Sequence, residues 1–175
     1  MKLIPRKNIV ANLRARLDAT FSRIGSLSTG DLEVHSDFAR YLCVLVSGFF
    51  ETALSELAAE HCRKRSAPTV SNYAQSQLAR LQNVKSERLL QLMGSFNPKM
   101  RVEIEAFIDG PRKDALDSVV DLRNKIAHGE SVGVTYIRIK DYYKRISEII
   151  DFVEARLSYR DREEPRSSPL PHHAA

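Results

Sequence analysis

Tryptophan is absent from this sequence, cysteine occurs only as Cys43 and Cys62, and glycine and proline number seven each. Each scarcity excludes something. The two cysteines stand 19 positions apart with no CxxC pairing, which excludes a disulfide framework or paired-cysteine metal site and points to a reducing compartment. Cys43 lies in an apolar run and reads, like Cys62, as a small core or surface residue. A Gly-rich phosphate loop, HExxH and GxSxG are all missing, so the nucleotide-binding, zinc-protease and hydrolase classes that need them lose their support. Arg6, Lys7, Arg14 and Arg16 break up the N-terminal stretch, and no apolar run approaches the roughly 18 to 20 residues of a membrane span. A soluble cytoplasmic protein with no membrane partner is expected.

What is present favours helices. The 175 residues fit one domain with a core large enough to need no staple, and Leu, Ala, Arg, Glu and Ser dominate while strand-forming aromatics are few. The formal charge of +5 and a pI near 9.3 are compatible with a polyanionic partner, although charge of this size alone is weak support for nucleic-acid binding.

Periodicity predicts a first helix over residues 5–24, with Ile9, Leu13, Leu17, Phe21 and Ile24 on one side. A break over 25–30 precedes a long helix over 31–64, whose only breaker is Gly48. From Phe38 to Leu57 this helix is apolar over most of its circumference, with Arg40, Ser47 and Glu51 gathered on one narrow stripe, so it should be central and covered by several neighbours. Arg63, Lys64 and Arg65 end it, as a solvated C-terminal cap or as phosphate contacts, and Pro68 marks its exit. Shorter helices are expected over 70–81, 86–94 and 98–107, the last capped by Asn97. After the turn at Asp109, Gly110 and Pro111, a helix over 112–128 closes at Gly129, and Thr135 caps a last helix running to 157. One domain thus covers 1–158. Residues 159–175 are charged, rich in Ser and Pro and without period, which predicts a disordered tail in which His172 and His173 read as inert rather than metal-binding.

The segment Arg123-Asn124-Lys125-Ile126-Ala127-His128 is the chemical candidate. Projected at 100° per residue, Ala115, Leu116, Val119, Val120, Leu122, Ile126 and Ala127 form one apolar arc with Arg123 in its middle. A guanidinium there needs a partner or a polar cleft. Asn124 and His128 share another face beside Asp117 and Asp121, and His128 falls where exposed helix-end carbonyls favour the imidazolium, a placement suited to a general acid or base. Arg123 and His128 diverge by about 140° on an ideal helix, so one helix holds them awkwardly around one phosphate, whereas two helices across a twofold axis would line a cleft with both kinds of group. The alternative is structural: Arg123 as a strut paired with Glu51, and His128 as a cap on helix-end carbonyls.

Residues 121–143, DLRNKIAHGESVGVTYIRIKDYY, resemble the HEPN superfamily, and more closely its RiboL-PSP-HEPN branch. ARYLCVLVSGFFETAL from Ala39, SNYAQSQLARLQN from Ser71, and LMGSFNP followed by IDGPRKDALDSVVDLRN extend the likeness over roughly residues 36–157. The resemblance implies an all-α, HEPN-like helical bundle with a long central helix and shorter connecting helices that forms a homodimer. In active branches it implies an endoribonuclease of Arg-x4-6-His type that needs no metal or other cofactor. Carried onto this chain, the catalytic residues are Arg123, which neutralises the scissile phosphate, Asn124, which positions a group by hydrogen bonds, and His128, which moves the proton. Glu51, Ser47 and Arg40 are auxiliary or structural support. RNA is the implied substrate, and an antitoxin or defence-system protein the implied partner. Toxins of this kind that are paired with a nucleotidyltransferase continue the motif as His-x-Tyr. Here Gly129 and Glu130 follow His128, so modification of a tyrosine at that place is not available.

Overall fold

The computed structural model describes residues 7–27 and 31–158, which form seven helices and, among these residues, no strand. They are α1 (Lys7–Gly25), α2 (Leu32–Arg65), α3 (Pro68–Leu78), α4 (Ser86–Phe96), α5 (Pro98–Ile108), α6 (Pro111–Ala127) and α7 (Tyr136–Ser158). The expected tail and its two histidines lie outside the described residues.

Short-range chemistry sets most boundaries. Asp31 caps α2 by accepting from the Glu33 and Val34 N–H groups, and Asn97 caps α5 by accepting from the Lys99 N–H at 2.8 Å, each satisfying donors that a first turn leaves open. Pro68, Pro98 and Pro111 occupy first helical positions, where a missing N–H is harmless. Pro68 therefore starts α3 rather than merely ending α2, and the expected start at residue 70 moves two positions earlier. Gly110 at φ +73° turns the chain into α6 with a backbone that side-chain-bearing residues rarely adopt.

α2 is the central helix, packed against α1, α3, α6 and α7. Ala39, Leu42, Cys43, Val46, Phe50, Ala53 and Leu54 supply its core-facing surface. α7 lies along α2 and α6 and inserts Ile139, Tyr143, Ile146, Ile149, Ile150 and Val153. α4 and α5 pack on each other and close the side beside α6 and α7. Burial at this density contributes about 1.5–3 kcal/mol for each large apolar side chain, and burial also pushes the Cys43 thiol up to about 12.

α1 is fastened to α7 by rings. Phe21 stacks on Tyr143 at 4.9 Å between centroids, Phe49 meets the same ring edge-on at 5.8 Å, and the Tyr143 hydroxyl donates to Asp18 Oδ1 at 2.6 Å. Burial, followed by that bond, raises the Tyr143 hydroxyl well above the usual phenol range.

One sequence expectation changes. α2 contains an 18-residue window of mean hydropathy 1.5, long and apolar enough by composition to cross a membrane. Yet 56% of that window is buried among the other helices, so its apolarity is that of a core helix, compatible with a soluble bundle.

Candidate functional site

α6 leaves the core as it approaches its end. Ala115, Leu116, Val119 and Val120 are buried, Leu122 and Ile126 only partly so, and Ala127 is exposed. The apolar arc read from the sequence therefore holds for the first half of the helix and opens in the second. Arg123 falls in the open half and is partly buried, not enclosed.

The expected Arg123–Glu51 ion pair is not formed. Glu51 Oε1 accepts instead from the backbone N–H of Asn83 at 2.6 Å, and Arg123 Nη1 donates to Asn83 Oδ1 at 3.4 Å and to Asn124 Oδ1 at 3.1 Å. With water reaching the guanidinium, the desolvation that would demand a counter-charge is small. Among the described residues Arg123 makes no ion pair, and its side-chain hydrogen bonds go only to neutral amide oxygens.

Asn83 is the residue that sequence reasoning missed. It belongs to the connection between α3 and α4, and it is the one described non-glycine residue with positive φ, at 53°. Asparagine tolerates the left-handed region better than almost any other side-chain-bearing residue, so an Asn in a short helix–helix connection was the available signal. The connection is clamped onto α6 at two further points. Ser86 donates its N–H and its hydroxyl to Asp117 at 2.7 and 2.8 Å, and Lys85 Nζ lies 2.6 Å from Asp121 Oδ1. That second contact holds the Lys85 ammonium above its ordinary pKa. The carboxylates expected to flank the reactive face thus hold a wall of the site in place.

His128 is the C-cap residue of α6, one position beyond the helix, and is exposed. Its N–H bonds to the Asn124 carbonyl at 3.0 Å, the Gly129 N–H to Ile126 at 3.1 Å, and the Glu130 N–H to Lys125 at 3.0 Å. Gly129 at φ +74° makes this paired ending possible. Backbone groups thus satisfy these last carbonyls, and the His128 ring makes no hydrogen bond among the described residues. Nor does a hydrogen bond join His128 to Arg123, as their spacing on one helix predicts.

The three auxiliary residues do not converge on one point. Arg40 donates Nε to the Val132 carbonyl at 3.3 Å and pairs with Asp37 at 2.8 Å, tying α2 to the connection that follows His128. Ser47 is buried, with an Oγ that has no hydrogen-bond partner among the described residues. Glu51 acts on Asn83, as above. Arg123 and Asn124 are therefore brought together with Asn83 and Glu51, while His128, Arg40 and Ser47 stand apart from that cluster. A partly exposed cation set in amide oxygens suits an anion such as a phosphate diester, and a free imidazole nearby along the chain suits proton transfer.

A family model described as RiboL-PSP-HEPN matches residues 5–159. No curated protein and no solved structure matches.

Proposed function

The chain belongs to the RiboL-PSP-HEPN family, and from that premise we propose that it is a cytoplasmic, metal-independent endoribonuclease acting as a homodimer. Membership itself points to a nuclease or RNA-binding module. The observation that carries the catalytic reading is the Arg123 guanidinium, partly exposed to solvent and without a carboxylate partner among the described residues, five positions before an imidazole at the end of the same helix.

In this reading Arg123 of either chain binds and neutralises the scissile phosphate, and Asn124 keeps the guanidinium aimed. One His128 takes the proton from the ribose 2′-hydroxyl as its oxygen forms a bond to phosphorus. The second His128, from the other chain, gives a proton to the 5′-oxygen as the P–O5′ bond breaks. The products are a 2′,3′-cyclic phosphate and a 5′-hydroxyl. The about 140° between Arg123 and His128 on one helix makes a twofold arrangement the economical way to bring both kinds of group to one phosphate. Exposed Val34, Tyr41 and Val44, with the bare backbone of Gly48 and the Arg40-paired Asp37 among them, form a largely apolar stripe on α2 next to the Arg40–Ser47–Glu51 stripe and support a second copy there. A nuclease of this kind serves as a toxin or defence effector held in check by a partner protein.

One observation favours a second reading. A general base is normally oriented by a further hydrogen bond, and the His128 ring has none within the described chain. A non-catalytic module that grips RNA, a nucleotide or a protein through Arg123 would need no such orientation.

Purified parent and His128→Ala proteins, incubated with RNA in EDTA, separate the two. The catalytic reading expects cleavage by the parent, cyclic-phosphate ends, and a loss of about 10²–10⁴-fold in the variant. It would be falsified if His128→Ala cleaved as fast as the parent. RNA affinity without cleavage in either protein supports the binding module. Mapping RNA ends in cells expressing each form identifies the substrate.

A further inference from the structure

Beyond Arg123, Asn124 and His128, we propose that Asn83 is a positioning residue for the Arg123 guanidinium, presented by a left-handed backbone that Glu51 holds in place. The wall carrying Asn83 is fixed from two sides. Glu51 on α2 takes the Asn83 N–H at 2.6 Å, and the Asn83 carbonyl in turn accepts from the Lys85 N–H at 3.0 Å. Just beyond, α6 takes Lys85 through Asp121 and both donors of Ser86 through Asp117. Between these anchors φ of +53° directs the side chain that, among the described residues, reaches across from another element to Arg123.

The chemistry suits the task better than the ion pair expected from the sequence. A carboxylate against Arg123 would cancel the charge that a phosphate needs. An amide oxygen directs the same N–H while leaving the charge whole. Glu51 keeps its own charge one residue away, spent on a backbone N–H. Asn83 and Asn124 accept from the same Nη1, which fixes the guanidinium plane and leaves its other donors for a ligand.

The proposal rests on the ribonuclease reading only for what Arg123 acts upon, so its test needs a readout of Arg123 itself. In Asn83→Gly the left-handed backbone and the N–H to Glu51 are retained and the amide oxygen is lost. Glycine is at ease at this φ, so the variant folds. In Asn83→Asp an acceptor is retained in a residue that also tolerates this backbone. Nitrogen NMR of the arginine side chains, with Arg123 assigned from Arg123→Lys, reports rotation of the guanidinium. Slowed rotation in the parent, loss of it in Asn83→Gly and its return in Asn83→Asp are expected, together with kcat on RNA lowered about tenfold and KM within about twofold in Asn83→Gly. Parent-like Arg123 signals in Asn83→Gly, or free rotation already in the parent, overturn the positioning role whatever the cleavage rate. Signals that change as expected in a protein that cuts no RNA uphold the positioning role and remove the ribonuclease reading instead.

Discussion

Between α1 and α7 the chain packs rings, whereas between α6 and the α3–α4 connection it packs carboxylates, amides and an ammonium. The first seam buries Phe21 and Tyr143 and adds three polar links at its margins: the Tyr143 hydroxyl to Asp18, the Tyr136 hydroxyl to the Phe21 carbonyl, and Arg14 to Asp151. The second has Asp117, Asp121 and Asn83 as its working parts, and Lys85, Asp121 and Asn83 are exposed. Stability rises with apolar area removed from water, while exposed charged contacts contribute little. The ring seam therefore holds the bundle, and the polar seam places side chains.

The sharpest way to break this comparison is Phe21→Ala, which removes a ring that is 4% exposed and should lower unfolding free energy by about 3–5 kcal/mol. Urea denaturation measures it, and a loss below about 1.5 kcal/mol would mean that the ring seam is not the stronger one. At the polar seam, Asp117→Ala takes away both acceptors of Ser86 and should lower stability by about 1–2 kcal/mol. A loss equal to that of Phe21→Ala in the same titration would erase the distinction.

The smallest effect sharpens the comparison through pH. The Cys43 thiol is pushed from 9.0 up to about 12 by burial alone, so the unfolded chain ionises first as pH rises. Stability from this group is fully present below pH 9 and is lost progressively as pH climbs toward 12, by about 1 kcal/mol at pH 10. Tyr143, also raised, extends the fall at higher pH. Urea midpoints at pH 8 and pH 10 should show the decline, and Cys43→Ala should flatten it. An equal slope in that variant would assign the pH dependence elsewhere.

The fold was legible because its information is local. The apolar period of α7 and the caps at Asn97 and Thr135 can be read without knowing what lies across the core, and Thr135 Oγ1 indeed accepts from the Arg138 N–H at 3.3 Å. The course of Arg123 was not legible in the same way. Helical projection assigns a direction but not a depth, and α6 emerges from the core between Val120 and Arg123, where no single-helix period registers the change. Asn83 lies 40 residues from Arg123, in a connection with no period at all. The role of Asp117 and Asp121 was hidden for the same reason: they face a loop whose position only the assembled bundle defines. Gly129, by contrast, announced itself, because a left-handed C-terminal ending has a narrow choice of residue.

α4 does not own its cap. Lys85, in the capping position, offers no side-chain acceptor, and the carboxylate that serves the first turn arrives from Asp117, 31 residues further along the chain. During synthesis from the N-terminus, that turn stays frayed until α6 has emerged and docked. Docking brings Asp121 to Lys85 and Arg123 to Asn83 in the same motion, so the wall and the cation it faces come into being together. An unfinished chain has no such wall, and a chain in which α6 peels away loses the start of α4 and the aim of Arg123 in one cooperative step.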